Sequence, residues 1–291
     1  SAIRAQLKAS PFLFESDDHV AISDGIDEAV DAWVTANYIL GGATASSELD
    51  TVGTLDLGGA SVQVTTRTAG PIPDKHKYVL ALADNEIPLY AHSHLAYGLK
   101  EARKRVDMMV QGRPDKRHPC LLEGSSVDLG GTTYKGSSDF EGCVDLHRKI
   151  SDYCHYKIEE CSPLSSIPPP KHDGVFLAFS YFWDVLTEFM ADNRTPTVAQ
   201  IRARAQQVCS VNADALAVDH ASSYEPGNPE FLTRACQDMT YILHLLSEHL
   251  GFEDNAERIR LVKQIEGKEM SWTLGASLRM LHGPPKAKGE L

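Results

Sequence analysis

The stretch Thr54-Leu55-Asp56-Leu57-Gly58-Gly59-Ala60-Ser61-Val62-Gln63-Val64 places a carboxylate, a double glycine, a hydroxyl and a carboxamide close together in the chain. An aspartate at the end of an apolar strand, followed by Gly-Gly, brings a carboxylate and bare backbone N–H groups to one phosphate. Glycines permit positive φ and carry no Cβ to block a ligand. Successive N–H groups in such a turn form an anion-binding concavity. The carboxylate can organise a hydrated divalent cation, Ca²⁺ or Mg²⁺, through oxygen ligands. The same residues also fit a β-hairpin with a two-glycine turn, and this stretch alone leaves both readings open.

Residues 22–42 supply a second group. Asp24 or Asp27 can cap a helix start. Ala29, Ala32, Trp33, Ala36, Tyr38 and Leu40 then follow at roughly helical spacing, and Gly41-Gly42 stops the helix. Glu28 falls in the first turn, where the helix dipole favours a carboxylate. There it is either ordinary charge complementarity or a general base aimed at water.

Taken together the two segments resemble the apyrases, or nucleoside triphosphate diphosphohydrolases, of the plant and protist type. The family's third conserved region looks like Asp24-Gly25, Glu28, Trp33-Val34-Thr35, Asn37-Tyr38 and Leu40-Gly41, and its fourth like Asp56 to Gln63. Downstream, Leu89 to Leu99, His118-Pro119-Cys120, Phe179 to Asp184 and Ser271 to Gly275 are similar to later family segments, in order. The resemblance implies the actin-like, ribonuclease-H-like two-lobe α/β fold, of which mainly the second lobe is present. It places the end of the first lobe in residues 1–22 and the second lobe in 23–266. Residues 267–291 would hold a final helix returning to the first lobe, and a tail.

The implied activity is divalent-cation-dependent hydrolysis of nucleoside tri- and diphosphates. Glu28 would activate the attacking water and Ser61 would help position it. Gly58, Gly59 and Ala60 would offer N–H groups to phosphate. Asp56 and Gln63 would hold Ca²⁺ or Mg²⁺ through its waters. Trp183 and Tyr181 fall near the family's base-binding region; each can stack on a purine or pack in the core of an amphipathic helix. Asp184 stands where some relatives carry an aromatic, and Trp272 fits a base pocket or a core.

Departures from the family pattern support an alternative, a non-catalytic apyrase-derived binding or structural protein. The family's first two conserved regions, with an Asp-x-Gly-Ser-Ser-type phosphate loop, do not occur in these residues. An upstream segment or a companion chain is therefore expected to complete the first lobe. Ala29 replaces a glycine, and Asp31 lies three residues from Glu28, where a like charge raises a carboxyl pKa.

The chain has 291 residues and a formal net charge of −12, which argues against a nucleic-acid polymer as partner. It does not argue against nucleotides, because a bound cation brings positive charge. No apolar run is long enough to span a membrane. The six cysteines fit disulfides in an oxidising compartment, hence a secreted or secretory-lumen protein, although spacing alone cannot choose among fifteen pairings. The resemblance suggests Cys120–Cys143, Cys154–Cys161 and Cys209–Cys236. Asn193-Arg194-Thr195 is a glycosylation acceptor if the chain enters that pathway. The histidines show no metal spacing and read as structural or exposed.

Among the connecting elements, the pattern predicts a hairpin over 52–68 and strands at 77–82 and 88–91. It predicts helices at 95–109, 140–156, 175–190, 195–208, 229–250, 256–263 and 267–281. Residues 111–140 read as loop or short strands.

Overall fold

In the computed structural model, which describes residues 2–17, 20, 22–42, 51–68, 70–82, 85–152, 163–164, 174–219 and 229–282, apolar strands assemble into a central sheet covered on both faces. After α1 (Ala2–Lys8), which buries nothing, comes α2 (Gly25–Ile39). Strands β1 (Gly53–Leu57), β2 (Ser61–Thr66), β3 (Lys77–Leu82) and β4 (Asn85–Leu95) lead to α3 (Leu99–Val110). The small strands β5 (Arg117–His118), β6 (Ser126–Leu129) and β7 (Thr132–Gly136) make a separate three-stranded sheet. Then follow α4 (Phe140–Asp152), β8 (Phe176–Ser180), α5 (Tyr181–Phe189), α6 (Val198–Cys209), α7 (Ala213–Asp219), α8 (Pro229–Thr233) and α9 (Ala235–His244). A π-helical turn at Leu245–His249 extends α9. Strand β9 (Ile259–Leu261), the short hairpin β10 (Gln264–Ile265) and β11 (Lys268–Glu269), and α10 (Trp272–His282) complete the described chain.

The central sheet runs β3-β4-β2-β1-β8-β9. Its first four strands are antiparallel neighbours, whereas β1, β8 and β9 are parallel. One face packs the main core against α3, α4, α5, α6 and α9. The other face carries α2, beneath α10. Because α2 is sandwiched between sheet and helix, it is buried almost all round, Trp33 completely. Asp24 caps α2 by accepting from the Ile26 N–H at 2.8 Å, and Gly41 ends it at φ 77°. Asn37 ties the end of α2 to the start of β1, donating to the Val52 carbonyl at 3.1 Å and accepting from its N–H at 2.8 Å.

Four sequence expectations are corrected. Residues 175–190 are a strand and then a helix, because Phe176–Ser180 joins the parallel ladder beside β1 before α5 begins. Residues 256–263 contain β9, the sheet's parallel edge, in place of a helix. The segment from Leu95 begins as the end of β4, and α3 starts only at Leu99, after Gly98. The last helix likewise starts later, at Trp272, which is 36% exposed and leaves the packing to Leu274 and Leu278.

Two of the implied disulfides are present. Cys120–Cys143 joins the small-sheet region to α4, and Cys209–Cys236 joins α6 to α9. Their loops correspond to about 3–4 kcal/mol each in the chain-entropy view. Cys154 and Cys161 lie outside the described residues.

Several histidines are buried rather than scattered over the surface. His118 Nε2 hydrogen-bonds the Asp107 carboxylate at 3.0 Å, in a group that Arg234 completes. His76, His92, His94 and His249 form an edge-to-face row with successive ring centroids at 4.6, 4.3 and 4.6 Å. His94 and His249 share an Nε2–Nε2 hydrogen bond of 3.2 Å. Burial, reinforced by neighbouring imidazoles, pushes His92 and His249 down to about 4 and His94 well below its ordinary value. The folded row is neutral, so the unfolded chain takes up protons first. Its stabilisation is full above the unfolded value of about 6.5 and is lost as pH falls toward 4. Melting curves should show Tm falling across that interval, and His94→Phe should shrink the fall. Identical pH dependence in wild type and variant would contradict this assignment.

Candidate active site

The site is assembled where α2 begins, above the hairpin of β1 and β2. In that hairpin Asp56 lies opposite Gln63, and Leu57 opposite Val62. Cross-strand partners share a face, so Asp56 and Gln63 face α2 while Leu57 and Val62 enter the main core. Ser61, two residues before Gln63, shares the α2 face. The first turn of α2 brings Glu28 over them, and Gln63 Nε2 donates to Glu28 Oε2 at 3.3 Å. Glu28, Asp56, Ser61 and Gln63 are therefore gathered on one face.

The electrostatics are those of two carboxylates without enough compensation. Burial pushes the Asp56 carboxyl up to about 6; the Ser180 hydroxyl, by hydrogen bonding, opposes this, and the charge of Glu28 adds to it. Glu28 is itself raised, first by burial and then by Asp24 and Asp31. Asp31 raises Glu28 as expected, and it also has a partner of its own. It is buried and ion-paired with Arg279 of α10, which also reaches it through Nη2 at 2.9 Å. Arg279 binds Asp27 at 3.2 Å as well, and the Tyr78 hydroxyl donates to that carboxylate at 3.2 Å.

The glycine turn differs from expectation in two respects. Neither Gly58 nor Gly59 adopts positive φ. The Gly58 N–H donates to the Ser61 carbonyl at 3.0 Å, so it closes the hairpin and is not offered to phosphate. The Gly58, Gly59 and Ala60 carbonyls accept from N–H groups of residues 96–101. The turn's acceptors are thus consumed, and the Gly59 and Ala60 N–H groups have no protein acceptor among the described residues. Two N–H groups remain for an anion.

Glycine is required instead at the contacts around the site. A Cβ on Gly98 would overlap the Gly59–Ala60 peptide, so this residue lets the start of α3 press against the turn. A Cβ on Gly25 would overlap the Ser93 hydroxyl, which keeps the head of α2 against β4. On the far side of α2, a Cβ on Gly275 would overlap the Asp31 carbonyl oxygen, and the Gly275 N–H donates to Thr35 Oγ1 at 2.8 Å.

Trp183 does not join the carboxylates. It packs against the main core at the start of α5, and the Arg194 guanidinium lies 4.9 Å from its ring centroid, covering one face. Tyr181 also packs against that core. Sequence reasoning missed Arg279, Lys100 and Ser180. Gly275 and Arg279 are four residues apart and so share one face of α10, a spacing that runs past the end of the motif Ser271 to Gly275. Lys100 runs its side chain along Gly59, with Cδ 3.3 Å from where a Cβ would stand. Its type, within a basic helix, does not distinguish it from its neighbours.

A doubly covered, partly parallel sheet with a carboxylate-bearing helix across one face defines a mixed α/β protein. The chain belongs to the GDA1/CD39 (nucleoside phosphatase) family, whose model matches residues 1–288. It is 32% identical to the guanosine-diphosphatase of Schizosaccharomyces pombe over 91% of this chain and 53% of that protein. It is 30% identical to the ectonucleoside triphosphate diphosphohydrolase 5 of Gallus gallus, over 97% of this chain and 64% of that one. The chain thus spans between half and two thirds of the length of these relatives. A crystal structure of nucleoside triphosphate hydrolases from Neospora caninum shares the fold, with a TM-score of 0.60 at 12% identity, over 91% of this chain and 65% of that one. The expected actin-like α/β fold class therefore holds.

The close crossing of α10 and α2 sets where Glu28 stands. Gly275→Ala should cost about 1–3 kcal/mol in denaturant unfolding, the usual penalty of overpacking. An unchanged unfolding midpoint would show that the two helices are free to separate.

Proposed function

We propose that this chain carries the water-activating half of a phosphoanhydride hydrolase that converts nucleoside tri- and diphosphates to the monophosphate and orthophosphate. The observation that carries this reading is the convergence of Glu28, Gln63 and Asp56 beside the two open N–H groups of the turn. It agrees with the names of the relatives, a guanosine-diphosphatase and a triphosphate diphosphohydrolase.

The donor set fits a hard divalent cation. Asp56 is a half-buried carboxylate with a second carboxylate close enough to raise it further, and Gln63 adds a carboxamide. Oxygen-rich groups with excess negative charge suit Mg²⁺ or Ca²⁺. Asp56 and Gln63 would hold the ion through its waters. When bound it would offset the negative charge of the phosphates.

The remaining work falls to the chain's own groups. Gln63 holds Glu28 Oε2, leaving Oε1 to accept a proton from water. The raised pKa of Glu28 makes it a stronger base than a solvated carboxylate. Ser61, on the same face, helps position the water. As the water oxygen bonds to the terminal phosphorus, the bond to the bridging oxygen breaks and the nucleotide leaves. The Gly59 and Ala60 N–H groups would then meet charge on the phosphoryl oxygens. Gly58 serves the turn rather than the ligand. Trp183 retains one ring face for a base.

Asp31 still raises Glu28, as the non-catalytic alternative requires, but its pairing with Arg279 ties it to α10 as well. The other half of the phosphate clamp would come from sequence outside this chain, which spans 53% and 64% of two of its relatives. No helix among the described residues is long and apolar enough to cross a membrane. With two disulfides, the setting we propose is the secretory lumen or the extracellular space. There Asn193 is a candidate glycosylation site.

Phosphate release should be followed in the full-length polypeptide containing this chain, with ADP, GDP and ATP. Glu28→Gln should lower kcat by about two to four orders of magnitude, and chelation of divalent cations should abolish turnover. Turnover within a few-fold of wild type in Glu28→Gln would refute the assignment of the base.

A further inference from the structure

Ser180 ends β8 at φ 56° and ψ −129°, a left-handed region that a residue with a Cβ enters only at a cost. Its register shows what that conformation achieves. In the parallel ladder Asp56 lies opposite Phe179 and Leu57 opposite Ser180. An extended Ser180 would share the face of Leu57, which is fully buried in the main core. The left-handed backbone breaks that alternation. Ser180 is exposed and turned from the Leu57 face toward that of Asp56, whose carboxylate its hydroxyl favours in the ionised form.

A second observation concerns what the hydroxyl does not do. Ser180 stands at the N-cap of α5, where serine commonly accepts from an N–H of the first turn. It makes no such cap bond. Both the unstrained backbone and the cap are given up at one residue, and the hydroxyl is spent on Asp56. A donor to the carboxylate favours its ionised form, against the burial and the Glu28 charge that oppose ionisation.

We propose that Ser180 is a positioning residue that orients the Asp56 carboxylate toward the hydration shell of a divalent cation. This rests on the reading of Asp56 given above. Of the two Asp56 oxygens, the one that accepts from Ser180 is fixed by it, leaving the other directed at the ion's waters. Glycine at position 180 would relax the backbone but supply no donor. Asparagine keeps a Cβ, as serine does, and supplies an amide donor.

The test is calorimetric titration of Mg²⁺ into the full-length polypeptide with α,β-methylene-ADP, which binds but is not cleaved, together with melting curves without ligand. Ser180→Ala and Ser180→Gly should each raise the half-saturating Mg²⁺ about 10- to 100-fold, the usual effect of losing an outer hydrogen bond to a metal-organising group. Ser180→Gly should melt above Ser180→Ala, by about 2–4 °C, because the strain is gone. Ser180→Asn should recover most of the Mg²⁺ response. Unchanged half-saturation in Ser180→Gly, with wild-type binding intact, would overturn the role of Ser180 alone. Failure of Ser180→Asn to do better than Ser180→Gly would also overturn it. Wild-type protein without Mg²⁺-dependent binding would overturn the reading of the whole site, and this role with it.

Discussion

Two carboxylates held close together in a partly dry place are the constraint from which the rest of this structure can be understood. Desolvation pushes the half-buried Asp56 carboxyl up to about 6, and Glu28 adds to the rise. A fold gains nothing by such an arrangement on its own account. Burial disfavours each charge, and each charge disfavours the other. Much of the surrounding packing can be read as holding the pair in place against that repulsion.

The holding is done from three sides. Arg279 binds Asp31 and Asp27 on α2, so the helix that carries Glu28 is anchored from above by α10. Gly275 lets that anchor approach, and Gly25 lets the head of α2 reach β4. From below, Gly98 presses the start of α3 against the hairpin turn and fills its carbonyls, leaving two N–H groups open. From the side, β8 runs parallel to β1 and ends at Ser180, against Asp56. The glycines that matter most here are those at close crossings between elements. Gly58 and Gly59, the pair that attracts notice in the sequence, use neither left-handed backbone nor, for Gly58, a free N–H.

This explains what could be read in advance. The hairpin around Asp56 and the helix carrying Glu28 are legible because their signals are local: apolar alternation, a capping aspartate, a glycine stop. Their mutual approach is visible only through resemblance to a family, since nothing in the spacing of Glu28 and Asp56 brings them together. The boundary between β8 and α5 is illegible for a physical reason. Phe176 to Phe189 is continuously apolar on one side, and the break is made by Ser180 without glycine or proline. Strand β9, three residues long at a parallel edge, has too little sequence to show a period. Asp31 is legible as a like-charged neighbour of Glu28, but its pairing with Arg279, distant in sequence on α10, is not.

The central claim is that the carboxylate pair exists to receive a cation, and it is tested most directly by titrating Asp56 itself. Carbon-13 NMR of the Asp56 side-chain carboxyl, without divalent cations, should show it titrating near pH 6. Adding Mg²⁺ with a non-hydrolysable nucleotide should move that titration down by about one unit or more, as a nearby positive charge requires. An Asp56 that titrates in the ordinary range near 4 without the cation, or that ignores Mg²⁺ and nucleotide altogether, would contradict the account.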